Sequence, residues 1–189
     1  MNYQLERYHQ PLNGDLTLSS SKSESNRALI MNALSGNQLQ LKNLSDARDT
    51  QTMQRLLSEK KPVWDVLDAG TTMRFCTAYL AIMGSGEIIT GSDRMKERPI
   101  KPLVDALRKL GAKIDYMTQE GFPPLRISAK KKESQAQKIS IPGHISSQYI
   151  SALLMIGPTL PDGISIELTG EIFSRPYIEM TLALMHHFG

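Results

Sequence analysis

A strand-then-helix pattern occurs three times along the chain and restricts its possible folds more than any other feature. The first helices of the three passes open at Ser23, Thr71 and Ser146. The second helices each carry an arginine, after intervals of 25, 27 and 29 residues, at Arg48, Arg98 and Arg175. Units that alternate strands with helices can bury their apolar faces only by packing together, so the repeat predicts an α/β (α+β) fold of three units around a shared helical core.

Apolar periodicity predicts the elements of each unit. The predicted strands lie at 15–19, 38–44, 63–67, 87–90, 112–117, 124–128, 139–141 and 164–168. The predicted helices lie at 23–34, 46–57, 73–83, 100–110, 146–156 and 175–187. We expect a short N-terminal segment at 1–18 and one domain at 19–189, with units at about 19–65, 66–136 and 137–189. The third unit stops before its hairpin, which indicates a fragment.

The serine-rich start of the first helix is the strongest candidate for a binding site. Unpaired N–H groups and the positive end of the helix dipole attract anions, and Lys22 and Arg27 add full charges. Ser23 and Arg27 are four residues apart on one helix face, so the guanidinium should reach back to the same anion. The alternative is a capped amphipathic helix with ordinary surface cations.

Composition favours a small anionic ligand. Lys plus Arg outnumber Asp plus Glu by 22 to 19, and 6% of residues are aromatic, too few for a nucleic-acid stacking platform. The basic run at 130–132 is interpreted as a solvated loop. Cys76 lies in an apolar helical pattern that indicates core packing, and metal-ligand spacing is absent from the sequence. The lack of a long apolar run or a leader peptide predicts a cytoplasmic protein.

Five motifs occur in a fixed order: Lys-Ser-Glu-Ser-Asn-Arg-Ala at 22–28, Ala-Gly-Thr-Thr-Met-Arg at 69–74, Arg-Met-Lys-Glu-Arg-Pro-Ile at 94–100, Ser-Ser-Gln at 146–148 and Ser-Arg-Pro-Tyr-Ile at 174–178. Through them the chain resembles the 5-enolpyruvylshikimate-3-phosphate synthase family. The resemblance implies two domains of three βαβαββ units each, with this chain as the N-terminal half and its third unit incomplete. Asp68 departs from the family pattern, in which asparagine is common, and should affect phosphoenolpyruvate affinity.

The resemblance also implies site residues. Those matching the shikimate 3-phosphate site are Lys22, Ser23, Arg27, Ser146, Ser147, Gln148, Ser174 and Tyr177. Those matching the phosphoenolpyruvate site are Lys22, Gly70, Arg94 and Gln148. We interpret Arg74, Glu97 and Arg98 as structural residues that form ion pairs between elements.

The implied activity is transfer of the enolpyruvyl group of phosphoenolpyruvate to the 5-hydroxyl of shikimate 3-phosphate, with release of phosphate. The family's acid and base groups lie in the C-terminal half, so no catalytic residue is expected here and the chain alone should be inactive. The resemblance implies no cofactor or metal, no nucleic-acid or membrane partner, and a monomer whose partner is the missing domain.

Two other interpretations stay open. One is the related transferase that acts on UDP-N-acetylglucosamine, although that family has a reactive loop cysteine and Cys76 falls in a helix. The other is a non-catalytic module that binds phosphate or RNA ends.

Overall fold

The computed structural model describes residues 3, 4, 6, 7, 11, 13–128 and 137–189, which places the basic run at 130–132 outside the described residues. Its helices are α1 (Lys22–Leu34), α2 (Arg48–Glu59), α3 (Gly70–Met83), α4 (Asp93–Lys96), α5 (Lys101–Lys109), α6 (Ser147–Ile156) and α7 (Arg175–Phe188). Its strands are β1 (Val63–Asp65), β2 (Ser85–Thr90), β3 (Lys113–Tyr116), β4 (Leu125–Ser128), β5 (Gln137–Pro142) and β6 (Ile164–Thr169). A single 3-10 turn, Gly157–Thr159, follows α6.

Local sequence explains where the helices begin and end. Ser21 is the N-cap of α1, and its hydroxyl accepts a hydrogen bond from the Glu24 backbone N–H at 3.3 Å. Pro176 lies in the first turn of α7, where its missing N–H removes no helical bond. Gly111 follows α5 with φ of +92°, a conformation that glycine adopts without a steric cost.

The strands form two sheets. The larger has the order β1-β2-β4-β3, with β1 and β2 parallel and the other neighbours antiparallel. Strands β3 and β4 pair as a hairpin and lie within the predicted strands at 112–117 and 124–128, which are thereby confirmed. In the smaller sheet, β5 and β6 pair in parallel with Ile139 opposite Ile166.

The core is helical, as the repeat predicts. Helix α3 is buried along nearly its whole length and packs against α6, while α1 contacts both. Ile30, Phe75 and Leu153 are fully buried, and each comes from a different one of these three helices. Helices α1, α3 and α6, the first helices of the three predicted units, therefore share one apolar centre, and their N-terminal turns are held in a fixed arrangement.

Two predicted strands of the first unit are wrong. Residues 13–20 form neither helix nor strand, and Leu16 and Leu18 are 90% and 87% exposed. Residues 38–44 likewise lack strand pairing. The alternation of these segments identifies which face a strand would bury, but a strand also needs a neighbour for its backbone hydrogen bonds, and no described strand lies beside either segment.

A short helix, α4, lies between the predicted strand at 87–90 and the predicted helix at 100–110, and its N-cap Ser92 accepts a hydrogen bond from the Met95 N–H at 3.3 Å. Within the described part of the chain, none of the helices combines the length and apolar character needed to cross a bilayer.

Candidate anion-binding site

The first turns of α1, α2, α3 and α6 are joined side by side at one end of the molecule. Lys22 Nζ of α1 lies 3.5 Å from a carboxylate oxygen of Asp49 in α2. The Asp49 carbonyl accepts a hydrogen bond from Thr72 Oγ1 of α3 at 3.1 Å. Next along, Gln148 Nε2 of α6 donates to Thr71 Oγ1 of α3 at 3.1 Å. These contacts bring the motifs at 22–28, 69–74 and 146–148 together.

Helix α7 closes this arrangement into a ring. Its Tyr177 carbonyl accepts a hydrogen bond from Arg27 Nη2 of α1 at 3.4 Å, and its Thr181 hydroxyl lies 2.9 Å from the Ser151 hydroxyl of α6. We call the closed circuit of helices α1, α2, α3, α6 and α7 the helix-start ring. Helix starts that face one region concentrate backbone N–H donors and positive dipole ends, which is an environment for an anion.

Several of the helix starts in the ring have no side-chain cap. Ala47 and Ala69 precede α2 and α3 and carry no acceptor, and the Ser174 hydroxyl makes no capping bond to α7. Ser174 also has φ of +54°, an uncommon value for a residue with a side chain. By contrast, Ser146 caps α6 by accepting from the Gln148 N–H at 3.4 Å. The first N–H groups of α3 and α7 are thus free of side-chain acceptors.

The predicted shikimate 3-phosphate residues fall in three layers of accessibility. Ser146, Ser174 and Tyr177 are exposed, and the Lys22 side chain is 47% exposed despite its contact with Asp49. Ser23 and Gln148 are half-buried, whereas Ser147 and Arg27 are buried. All of these residues lie in the first two turns of α1, α6 and α7 or at their caps.

Arg27 lies beneath the ring and contacts three of its helices. Its Nη1 donates to the Ser23 carbonyl at 2.9 Å, Nε to Thr181 Oγ1 at 2.7 Å, and Nη2 to Ser151 Oγ at 2.9 Å. The guanidinium carbon is 5.3 Å from the centre of the Phe75 ring. Burial lowers the pKa of Arg27, although a guanidinium keeps its proton in proteins. Its role in anion binding stays a prediction, and its structural role is evident.

A second feature is an open pocket of about 470 Å³ beside the start of α3, lined by Asp68, Arg94, Met95 and Arg98. The Arg98 guanidinium lies close against the backbone at Gly70, where an added Cβ would be only 2.9 Å from Arg98 Cζ. The absence of a side chain thus lets the Arg98 guanidinium lie against the helix start. Asp68 is 3.2 Å from Arg48 Nη2, so its negative charge is partly balanced.

The expectation of ion pairs for Arg74, Glu97 and Arg98 is wrong, since none of the three forms one among the described residues. Arg74 is buried and donates to the Pro99 carbonyl at 2.8 Å and to the Gly70 carbonyl at 3.3 Å. Carbonyl partners avoid the cost of removing a second charge from water, which explains the difference.

Sequence reasoning missed residues that hold the site together, namely Asp49, Thr71, Ser151 and Thr181. A signal for two of them was present in the spacing. Ser151 follows Ser147 by four residues and Thr181 follows Tyr177 by four, the same interval that separates Ser23 from Arg27. Side chains four apart share a helix face, so each of these residues lies one turn below a candidate ligand-binding position.

Cys76 is fully buried, and this burial raises the pKa of its thiol. We expect the native protein to react with a thiol reagent such as dithionitrobenzoate only as fast as the chain unfolds, because the reactive thiolate is inaccessible. Following the reaction at increasing urea concentrations tests this. Rapid labelling without denaturant would show instead an exposed, reactive cysteine.

Among the described residues, no cluster of three or more His, Cys, Asp or Glu side chains is placed to hold a metal ion.

Comparison with known proteins decides the family. The family model for EPSP synthase (3-phosphoshikimate 1-carboxyvinyltransferase) matches residues 7–62 and 57–189. The chain belongs to the EPSP synthase family. Curated proteins similar to it include the 3-phosphoshikimate 1-carboxyvinyltransferase of Bacteroides fragilis strain YCH46, which is 53% identical over 189 residues, covering 100% of this chain and 45% of the relative. The enzyme of the same name from Actinobacillus pleuropneumoniae serotype 5b is 41% identical, covering 93% and 47%.

The solved structure of the EPSP synthase of Acinetobacter baumannii has the same fold, with a TM-score of 0.69 at 18% identity. The match covers 88% of this chain and 42% of that one. The chain thus spans about half the length of the EPSP synthase relatives that it matches.

Proposed function

We propose that the chain is the shikimate 3-phosphate-binding half of a 3-phosphoshikimate 1-carboxyvinyltransferase. In this proposal the parent enzyme transfers the enolpyruvyl group of phosphoenolpyruvate to the 5-hydroxyl of shikimate 3-phosphate and releases phosphate. The observation that carries the proposal is the helix-start ring, which gathers uncapped N–H groups of α3 and α7 and the accessible cation of Lys22 at one end of the molecule. Such a surface suits a ligand with several negative charges.

The shikimate 3-phosphate subsite is assigned to the side of the ring formed by α1, α6 and α7. Lys22 supplies a full charge, while Ser23, Ser146 and Ser174 supply hydroxyls. The exposed Tyr177 ring offers a flat apolar surface beside them for the cyclohexene ring of the substrate. A phosphate group carries about −1.5 to −2 charge near neutral pH, so these donors match the ligand chemically.

Phosphoenolpyruvate is assigned to the pocket beside α3. Arg94 and Arg98 line it, and the Arg98 guanidinium lies against Gly70 at the uncapped start of the helix. Gln148 bridges to Thr71 of α3 and thus lies between the two assigned subsites. Lys22 is proposed to contact both ligands.

The proposal assigns binding to this chain and chemistry to the missing part of the enzyme. Proton transfers need positioned acid and base groups, and the family's groups lie in the C-terminal half. We therefore expect no turnover by the chain alone, and weak substrate binding until the second domain closes over the ring. The units at about 19–65, 66–136 and 137–189, a cytoplasmic location and a monomeric state belong to the same proposal.

Calorimetric titration of shikimate 3-phosphate into the 189-residue chain tests the assignment, with shikimate as the matched control. We expect heat of binding that requires the phosphate group, because the donors of the ring are arranged for an anion. Equal binding of shikimate, or binding of a uridine nucleotide instead, would contradict the proposed substrate. Absence of binding by a chain shown to be folded by circular dichroism would contradict the claim that this half carries the site.

Asp68→Asn is expected to raise phosphoenolpyruvate affinity a few-fold. The substitution removes a negative charge from the pocket that Arg94 and Arg98 line, and exposed charges of this kind contribute up to about 1 kcal/mol. The gain should shrink as salt is added, since screening weakens the repulsion. Asp93→Asn, at an exposed carboxylate on α4 outside this lining, is the control. Unchanged or weaker affinity in Asp68→Asn would contradict the placement of phosphoenolpyruvate here.

A further inference from the structure

The hydroxyls of Ser151 and Thr181 form a fully buried network with Arg27. Donor and acceptor roles in this network are fixed, because a guanidinium has only donors. Arg27 Nε donates to Thr181 and Nη2 to Ser151, and Thr181 in turn donates to the Tyr177 carbonyl at 2.7 Å. With its proton committed, Thr181 accepts the Ser151 hydroxyl proton across their 2.9 Å contact. Every lone pair of the Thr181 hydroxyl is thereby in use.

The same network accounts for most of the donors of Arg27. Nε donates to Thr181, and the two N–H groups of Nη2 donate to Ser151 and the Tyr177 carbonyl. One N–H of Nη1 donates to the Ser23 carbonyl. A guanidinium has five N–H donors, so one remains without a partner among the described residues. It belongs to Nη1, the nitrogen that also binds the Ser23 carbonyl in the first turn of α1.

We infer that Ser151 and Thr181 are positioning residues for the shikimate 3-phosphate subsite. By holding Nε and Nη2 they fix the guanidinium plane so that the remaining Nη1 donor stays beside Ser23. Through the Tyr177 carbonyl they also fix the first turn of α7 relative to that of α1. This inference rests on the proposed function, since the donor at Nη1 matters only if an anionic substrate binds there. Neither residue touches the substrate.

The test compares two threonine-to-valine substitutions in the 189-residue chain. Thr181→Val keeps the side-chain shape and removes the hydroxyl. Thr77→Val is the matched control, because Thr77 is also fully buried and also donates to the carbonyl four residues earlier, Met73, at 2.7 Å. Unlike Thr181, it makes no hydrogen bond with Arg27. Thr181→Val should lose more stability than Thr77→Val, because it also removes the bonds that Thr181 makes with Arg27 and Ser151. Affinities are therefore compared only between variants that circular dichroism shows to be folded, and a loss of affinity confined to Thr181→Val is attributed to the network around Arg27.

We expect the dissociation constant for shikimate 3-phosphate to rise about tenfold in Thr181→Val. This is the effect of losing one charge-assisted bond, here the bond from the displaced Nη1 donor of Arg27 to the anionic ligand. Thr181→Ser, which restores the hydroxyl, should bind within about twofold of wild type, as should Thr77→Val. A structural measurement accompanies the titration: the Arg27 Nε–H resonance should exchange slowly with water in the wild type and rapidly in Thr181→Val. Ser151→Ala carries the affinity test if Thr181→Val does not fold.

The possible failures are distinguishable. If the wild-type chain does not bind shikimate 3-phosphate, the proposed function fails and the inference fails with it. If the wild type binds but Thr181→Val binds equally well, or if Thr77→Val weakens binding as much, the positioning role fails and the proposed function stands. Rapid exchange of the Arg27 Nε–H in the wild type would also overturn the positioning role.

Discussion

Arg27→Ala is expected to lower the free energy of unfolding by about 4 kcal/mol, because the substitution removes a charged hub from the core. Arg27 is 2% exposed, and its guanidinium donates to groups on α1, α6 and α7. Hydrogen bonds to charged groups contribute about 1.5–3 kcal/mol each, and they are not additive within one network. The loss is limited because Ser151 and Thr181 keep their contact with each other.

Urea denaturation of the variant, compared with Arg48→Ala, measures this effect. Arg48 forms an ion pair with Asp68 whose side chains are 68% and 55% exposed, and such pairs contribute about 0–1 kcal/mol. A loss below about 1 kcal/mol in Arg27→Ala would show that the buried network is not formed. Arg27→Lys should fall between the two, since an ammonium keeps the charge but cannot reach all the acceptors.

This expectation differs from what sequence alone indicates for Arg27. Its spacing from Ser23 places it correctly on α1, where its guanidinium reaches back to the Ser23 carbonyl. Burial cannot be deduced from that spacing, because it depends on Ser151 and Thr181, which lie 124 and 154 residues away in the chain. From the sequence of α1 alone, Arg27 is interpreted as a surface residue that binds an anion. It is a core residue in the structure because α6 and α7 pack over it.

The strands show the same division between local and distant causes. The hairpin of β3 and β4 was predictable because its turn and both strands are contiguous in sequence. The segments at 15–19 and 38–44 carry similar alternation but have no described partner strand. The helices that form the candidate site were predictable because apolar spacing is local, and four of the five motifs span the starts of α1, α3, α6 and α7. The contacts that join the helix starts were not predictable, because they link residues that are far apart in the sequence.

Arg74 and Tyr149 converge on one carbonyl, and this convergence leads to the second large effect. Arg74 Nη2 and Tyr149 Oη donate to the Pro99 carbonyl at 2.8 and 2.7 Å, and the guanidinium carbon lies 5.8 Å from the centre of the tyrosine ring. Pro99 immediately follows Arg98 of the pocket, so the two side chains fix the segment that carries the pocket cations. Arg74→Ala is expected to cost about 3 kcal/mol of unfolding free energy, given its bonds to the Pro99 and Gly70 carbonyls.

Tyr149→Phe should cost about 1 kcal/mol, the value of one neutral hydrogen bond. Tyr116→Phe is the control, because the Tyr116 hydroxyl is buried and has no hydrogen-bond partner among the described residues, so its removal should be neutral or stabilising. A double-mutant cycle of Arg74→Ala with Tyr149→Phe should show coupling of at least about 0.5 kcal/mol, since both groups share one acceptor and contact each other. If the free-energy losses of the two substitutions are strictly additive, the Pro99 carbonyl does not couple Arg74 to Tyr149. The positions of Arg94 and Arg98 in the pocket would then depend on Gly70 and α4 alone.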